Sequence, residues 1–252
     1  MVIDARKWTL DLLKTPSERD KQWKIGPSSI GDPCTYCIAE QLIASQGQGE
    51  ETKGSSLTQY WMGARFGTAI HETLEKAAIA QGFDWIVPER KITIGDLEGY
   101  GTITGSADVT VIDGDSDAEE HYWIAAGDQV IDFKTTTRKK LTLIKEAFLT
   151  PPDPDGLDTT ALTDARQKVH TYRGQIMLYA RGIGNVSTCT FVFLCRDGTG
   201  DNDIWAHDVP YDAEYAEKVW TRLEKIWAAV QDGKELSTFK QHPWCYRCQR
   251  RD

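Results

Sequence analysis

Residues 102–111 read Thr-Ile-Thr-Gly-Ser-Ala-Asp-Val-Thr-Val, and residues 130–137 read Val-Ile-Asp-Phe-Lys-Thr-Thr-Thr. In the first stretch, polar residues at even positions alternate with apolar or small residues at odd positions. That period of two predicts a half-buried β-strand with one polar face. The second stretch predicts another strand over 129–135. We therefore expect a sheet built around these two segments, which also carry the residues best suited to chemistry.

The segments on either side alternate between helical and strand patterns. An apolar stripe at helical spacing predicts a helix over 58–80, with Thr58 as its N-cap. The other expected elements are a short helix at 3–13, irregular chain through the Cys34–Cys37 pair, a polar connector at 47–56, strands at 86–94, 122–126, 188–195 and 204–209, and helices at 164–181 and 212–231. The fold class is therefore α/β, a central mixed and mainly antiparallel sheet flanked by helices.

The chain has 252 residues, of which 40% are hydrophobic, and this composition is typical of a globular protein. No run approaches 18 apolar residues, so no membrane span is expected, and the first ten residues lack the pattern of a secretory signal. The net charge is −9, whereas non-specific DNA binders usually have a basic footprint. The charge is uneven, however: acidic residues gather in expected loops at 113–120 and 153–158, and basic ones at 138–140 and 247–251. We expect a cytoplasmic protein whose cysteines stay reduced.

Asp132 and Lys134 are two residues apart on a predicted strand, so their side chains emerge on the same face. Asp108 lies on the polar face of the other predicted strand, and pairing of the two strands would bring both carboxylates within cross-strand reach. Carboxylates that close repel each other unless a divalent cation lies between them. Oxygen ligands suit Mg²⁺ or Mn²⁺. The alternative is a surface Asp132–Lys134 ion pair and two unconnected aspartates.

His71 lies in the predicted helix over 58–80, with Gly67 one turn before it and Glu75 one turn after it. Its imidazole is either a metal ligand or a partly buried side chain satisfied by Glu75. Gln175 and Tyr179 are also one turn apart, on a later predicted helix. They are either ordinary surface and core positions or a polar pair that reaches toward a substrate.

Two cysteine pairs with chelating spacing lie far apart in the chain, Cys34-x-x-Cys37 and Cys245-x-x-Cys248. Four thiolates in two such pairs indicate a metal site, for zinc or for an iron–sulfur cluster. Spacing alone does not separate these two metals. Either one would tie an early segment to a late one and close a loop of nearly the whole chain.

Taken in chain order, four short motifs resemble those of the PD-(D/E)XK nuclease superfamily, and most closely its RecB-like branch. The motifs are Gly67-x-x-x-His71, Gly105-x-x-Asp108, Asp132-Phe133-Lys134 and Gln175-x-x-x-Tyr179. The resemblance covers roughly residues 60–180. One departure is that Asp132 stands where many members of the superfamily have a glutamate.

The resemblance implies a restriction-endonuclease-like nuclease core and a metal-dependent DNA nuclease, favouring an exonuclease on single-stranded DNA or DNA ends. The implied ligands of Mn²⁺ or Mg²⁺ are His71, Asp108, Asp132 and the backbone carbonyl of Phe133. Lys134 would position or help deprotonate the attacking water and stabilise charge on the phosphate, and Gln175 and Tyr179 would contact DNA. A helicase or recombination protein is a possible partner.

The cysteine pairs are similar to those of the iron–sulfur exonucleases associated with CRISPR systems and of the AddB-type nucleases. Those proteins hold a 4Fe-4S cluster between one N-terminal cysteine and three C-terminal ones. The resemblance implies 4Fe-4S here too, although the two-and-two division leaves Zn²⁺ as the alternative. We therefore expect a cysteine-clamped metal subdomain, 1–57 plus 232–252, joined to a nuclease core, 58–231.

Two rival functions stay open at this point. The first is a non-catalytic nucleic-acid-binding module, with a zinc ribbon and a degenerate nuclease core, which would bind DNA and cut nothing. The second is an unrelated zinc protein in which the match at Asp132 and Lys134 is chance. In that case no metal would lie between Asp108 and Asp132.

Overall fold

The computed structural model describes residues 24–46, 61–112, 127–150, 160–243, 245 and 248, with the backbone alone at 61–65 and 160. Several expectations lie outside the described residues. These are the helix at 3–13, the connector at 47–56, the N-cap at Thr58, the strand at 122–126, the acidic loops at 113–120 and 153–158, and, apart from Cys248, the basic stretch at 247–251.

The five described strands are β1 (Ile86–Leu97), β2 (Gly101–Val111), β3 (Asp128–Thr136), β4 (Val186–Cys195) and β5 (Ile204–Pro210). They form one sheet in sequence order. β3 and β4 are parallel, and the other three neighbouring pairs are antiparallel. The parallel pair requires a crossover connection, which two helices supply. The predicted fold class, a mixed and mainly antiparallel sheet flanked by helices, is confirmed.

The described α-helices are α1 (Pro27–Ile30), α2 (Thr35–Gln46), α3 (Trp61–Gln81), α4 (Arg138–Leu149), α5 (Thr160–Ile183) and α6 (Ala213–Gln231). α5 packs across the sheet and buries Ile176, Met177 and Leu178 completely. α6 is amphipathic and packs against α5 and α2 with Val219, Trp220, Leu223, Ile226 and Trp227. Among the described residues no helix is long and apolar enough to cross a bilayer.

Two helices correct the expectations from sequence. Irregular chain is expected through the Cys34–Cys37 pair, but residues 35–46 form α2, because Ile38 and Leu42 provide a short apolar stripe that becomes buried when α6 covers it. Residues 138–149 form α4, a helix not expected from the sequence, and the basic residues at 138–140 are its first turn. Thr137 caps α4 by accepting a hydrogen bond from the backbone N–H of Lys140.

Distant parts of the chain meet beside α2. Lys240 accepts hydrogen bonds through its backbone carbonyl from the Thr35 hydroxyl at 2.9 Å and from the Tyr36 N–H at 3.3 Å. Ile30, Ile38 and Leu42 belong to the same hydrophobic core as the sheet residues. The division into a subdomain of 1–57 plus 232–252 and a core of 58–231 stays a prediction.

Candidate active site and cysteine cluster

Three acidic residues occupy matching register positions on three adjacent strands. β1 and β2 pair at Pro88–Val109 and at Arg90–Ala107, so Glu89 lies opposite Asp108. β2 and β3 pair as far as Val109–Ile131, so Asp132 lies one position beyond the last pair. The register thus brings carboxylates from β1, β2 and β3 to one region of the sheet, as the sequence predicted for Asp108 and Asp132.

Asp108 is held by both of its oxygens. The backbone N–H of Phe133 donates to Oδ2 at 2.7 Å, and His71 Nδ1 lies 3.2 Å from Oδ1. The hydrogen bond to Asp108 is the main reason why the pKa of His71 is raised, since burial acts in the opposite direction. His71 reaches this position because α3 packs against β1 and β3. The structure therefore brings His71 and Asp108 together, and Asp108 is the partner of the imidazole.

Asp132 forms a buried ion pair with Lys134. Lys134 Nζ lies 2.6 Å from Asp132 Oδ2, with side chains 16% and 2% exposed, although the contact lacks the alignment of a hydrogen bond. Burial raises the pKa of Asp132, and the negative charge of Asp108 adds to that effect. Burial is the largest single influence on Lys134 and would lower its pKa, but Asp132, Tyr172 and Asp108 together outweigh it and the pKa of Lys134 is raised. Lys134 therefore keeps its positive charge at neutral pH.

Gln175, on α5, contacts Lys134, and Tyr179, one turn later on α5, contacts Gln175. Lys134 Nζ donates to Gln175 Oε1 at 3.2 Å, and Gln175 Nε2 donates to the Tyr179 hydroxyl at 2.9 Å. Tyr179 is buried, and burial is the main cause that raises its pKa. The ring of Tyr172 lies 5.0 Å from Lys134 Nζ, within range of a cation–π contact. This chain of contacts holds the ammonium in one place, while the predicted contact of Gln175 and Tyr179 with DNA stays a prediction.

The glycines of the first two motifs have different environments. A Cβ atom on Gly105 would lie 2.7 Å from Tyr179 Cε1 and 2.8 Å from Pro27 Cγ, so only glycine lets α5 approach β2 this closely. A Cβ atom on Gly67 would lie 3.4 Å from Thr135 Oγ1, which is ordinary contact. Gly105 is therefore required by packing around Tyr179, whereas Gly67 is not.

Glu89 is a site residue that the sequence analysis missed. Its φ is +46°, in the left-handed region that a non-glycine residue rarely adopts. Its Oε2 accepts a hydrogen bond from the Ser106 hydroxyl at 2.8 Å. Ligand atoms of His71, Glu89 and Asp108 all lie within 4.8 Å of one another. Nothing in the local sequence indicates this role, because only the β1–β2 register places Glu89 beside Asp108.

The donor set fits a divalent cation. One imidazole nitrogen and two carboxylates, close enough to share an ion, are ligands that Mn²⁺ and Mg²⁺ accept. The N–H of Phe133 faces Asp108, and in a strand the carbonyl of a residue points to the same side as its N–H. The Phe133 carbonyl is thus directed toward the same region. Asp132, by contrast, is engaged by Lys134.

The four paired cysteines form a separate cluster. Sγ–Sγ distances are 3.6 Å for Cys34–Cys248, 3.5 Å for Cys37–Cys245 and 3.5 Å for Cys37–Cys248. All four sulfur atoms lie within 4.8 Å of one another, and none forms a disulfide. The structure thus confirms the predicted meeting of the two pairs, with chelating geometry.

No protein-family model matches this chain, and neither does any curated protein sequence. Among solved structures, the chain is similar to an alkaline exonuclease from Laribacter hongkongensis, LHK-Exo, at 14% identity and a TM-score of 0.47, over 86% of this chain and 94% of that one. For LHK-Exo in complex with dAMP, the identity is 15% and the TM-score is 0.48, over 91% of this chain and 94% of that one. For the protein SSO0001, the identity is 16% and the TM-score is 0.46, over 90% of this chain and 84% of that one. At such values the likeness carries no argument about activity, which has to rest on the site itself.

Proposed function

We propose that this protein is a divalent-metal-dependent DNA nuclease of the PD-(D/E)XK superfamily, in its RecB-like branch. One observation carries the proposal: His71, Glu89 and Asp108 are close enough to share a cation, and a charged lysine lies on the adjoining strand. A cation site beside a fixed ammonium is what hydrolysis of a phosphodiester requires, because both the attacking water and the phosphate have to be stabilised.

His71, Glu89 and Asp108 hold the cation in this proposal, and Asp132 and the Phe133 carbonyl border the same site. A bound Mn²⁺ or Mg²⁺ supplies Lewis-acid chemistry, neutralising phosphate charge and activating water. The imidazole ligand favours Mn²⁺ over Mg²⁺. The hydrogen bond from the Phe133 N–H keeps the Asp108 carboxylate in position whether or not a cation is present.

Lys134 acts as a fixed positive charge. The Asp132 carboxylate helps to keep the pKa of Lys134 raised, so the role proposed for its charge is to orient the attacking water and stabilise negative charge on the phosphate. Asp132 and Gln175 hold the ammonium from two directions. Gln175 and Tyr179 thus serve catalysis by positioning Lys134, and the exposed part of Gln175 is the part that can also approach DNA.

The substrate in this proposal is DNA that is single-stranded or has free ends, and the protein degrades it as an exonuclease. A helicase or recombination protein is the expected partner. The resemblance of the four motifs supports this preference. With a net charge of −9, the protein gains little from non-specific attraction to phosphates, so the cation has to contribute to substrate binding. We place the protein in the cytoplasm, where paired thiols stay reduced.

The test is digestion of labelled DNA with Mn²⁺, Mg²⁺ or a chelator, comparing linear single-stranded, linear double-stranded and circular single-stranded substrates. We expect Mn²⁺-dependent release of nucleotides from the linear substrates, with the circle left intact. Asp108→Asn keeps an acceptor for the Phe133 N–H but removes the charge, so it should abolish cleavage. Asp84→Asn, at an exposed turn, is the matched control. DNA binding without cutting under any metal would instead identify a non-catalytic binding module.

A further inference from the structure

We infer that Cys34, Cys37, Cys245 and Cys248 hold a single tetrahedral zinc ion, and that they do not fit the 4Fe-4S cluster that the family resemblance implies. This inference is independent of the nuclease proposal, because it rests on sulfur positions remote in the chain from His71, Asp108 and Asp132. Its basis is the spacing of the four sulfur atoms.

Four thiolates on one zinc ion lie at the corners of a tetrahedron. With a Zn–S bond of about 2.3 Å, the edge of that tetrahedron, and hence the distance between neighbouring sulfur atoms, is about 3.8 Å. Three of the Sγ–Sγ distances here are 3.5, 3.5 and 3.6 Å, and no two of the four sulfur atoms are more than 4.8 Å apart. The sulfur atoms therefore surround a space the size of one ion.

A 4Fe-4S cluster needs a wider arrangement. Each of its four cysteines binds a different iron atom at a different corner of the cluster, so the thiolates are separated by the body of the cluster. Thiolates that share one ion are necessarily closer together. The observed distances are slightly shorter than the single-ion value, so a cluster would require every cysteine to move outward.

The surroundings oppose such a movement. Cys34, Cys37 and Cys245 are at most 1% exposed, so packed atoms already occupy the space around them. The backbone is fixed on both sides, since the Cys34 N–H donates to Asp32 Oδ1 at 2.8 Å and the His242 N–H donates to Cys34 Sγ at 3.4 Å. A hydrogen bond from a backbone N–H to a ligand sulfur is a typical outer-shell feature of a thiolate metal site.

The chemistry of the site follows from its ligand count. Four protein ligands complete a tetrahedral zinc site and leave no position for water or substrate, so the ion is structural. It joins cysteines separated by 208 to 214 positions in the sequence. Removing the ion should therefore lower the melting temperature of the whole protein, since the loop that the ion closes spans most of the chain.

The experiment is elemental analysis and visible absorbance of the full chain purified without oxygen from cells supplied with both iron and zinc. We expect about one zinc and no iron per chain, with a colourless protein. Replacing zinc with Co²⁺ should give the intense visible bands of tetrahedral thiolate coordination. Either about four irons with a brown colour, or a single iron, or a metal-free protein would overturn the inference.

Variants separate the cluster from the other thiols. Cys248→Ser should lower the zinc content and the melting temperature, and the matched control is Cys195→Ser, which changes a half-buried cysteine outside the cluster. If Cys248→Ser does not fold, titration of the parent with a thiol reagent gives the answer instead. Release of one zinc as four thiols react supports the site, and reaction of thiols without zinc release contradicts it.

Discussion

Asp108 on β2 and Phe133 on β3 are joined by a hydrogen bond from the backbone N–H of Phe133 to Oδ2 of Asp108, at 2.7 Å. The bond forms just beyond Val109–Ile131, the last backbone pair between the two strands. A hydrogen bond to a side chain thus links the two strands beyond their last backbone pair. The carboxylate is fixed in position, and its other oxygen faces His71, 3.2 Å away.

Lys134→Met should reduce DNA cleavage by about a hundredfold or more, which is the usual effect of removing one charge-stabilising donor. Mn²⁺ affinity, measured by electron paramagnetic resonance, should not fall, because Lys134 is not a ligand. Asp132 would be left buried without its partner, so we also expect a loss of stability of about 3 kcal/mol. Lys91→Met, on an exposed part of β1, is the control. Full activity in Lys134→Met would contradict the proposed role.

Gln175→Ala tests whether this residue positions Lys134 or binds DNA. If it positions the ammonium, kcat should fall by about tenfold, the scale seen when an outer-shell partner is lost, while KM for DNA stays the same. A rise in KM with kcat unchanged would instead indicate a direct DNA contact. Gln81→Ala, exposed at the end of α3, should change neither constant.

Glu89→Gln should weaken Mn²⁺ binding by about tenfold, because it removes one of the charged oxygens beside His71 and Asp108. Glutamine keeps an acceptor for the Ser106 hydroxyl, so the fold should be preserved. Titration of Mn²⁺ measures the affinity directly, without reference to cleavage. Glu72→Gln, on the exposed side of α3, is the control, and equal affinity in the two variants would remove Glu89 from the ligand set.

The same substitution at two motif glycines should have opposite effects. Gly105→Ala places a methyl group within 2.7 Å of the Tyr179 ring and should lower the free energy of unfolding by about 1–3 kcal/mol. Gly67→Ala meets only ordinary contact at 3.4 Å within α3 and should raise it by about 0.5–1 kcal/mol. Chemical denaturation of both variants measures the difference, and equal effects would contradict the packing argument.

Asp203→Asn should change stability in a pH-dependent way. The hydrogen bonds from Arg138 hold the pKa of Asp203 well below its usual range, with Arg138 Nε 2.6 Å from Asp203 Oδ1. A carboxyl with a lowered pKa stabilises the fold fully above its unfolded pKa of about 3.9, and this contribution decreases below that value and is lost only as the pH falls through the lower folded pKa. The difference between the urea midpoints of parent and variant should be largest at pH 6 and should shrink progressively as the pH falls below about 4. Asp201→Asn, in the same turn, is the control variant.

The sequence by itself determined the two strands that organise the sheet, because a period of two along the chain is a local property of burial on one face. It also indicated His71, Asp108, Asp132 and Lys134, whose residue types and order are visible without any structure. In the structure His71 and Asp108 lie together and Asp132 and Lys134 form an ion pair, whereas their roles as ligands and catalytic groups stay predictions. Helix α2 was not predicted, because its apolar stripe is too short to indicate a helix by its spacing alone. The reason for that stripe is its packing against α6, which only the structure shows.

Only the tertiary structure decided which atoms meet. Glu89 joins the site through the register of β1 and β2, and Gln175 reaches Lys134 because α5 crosses the sheet at that point. The cysteine spacing admits both zinc and an iron–sulfur cluster, and the inference of a single zinc ion rests on sulfur distances that only the tertiary structure supplies. The physical reason is that local spacing specifies which side chains share an element and a face. Distances of a few ångströms between residues far apart in the chain depend on the packing of the whole fold.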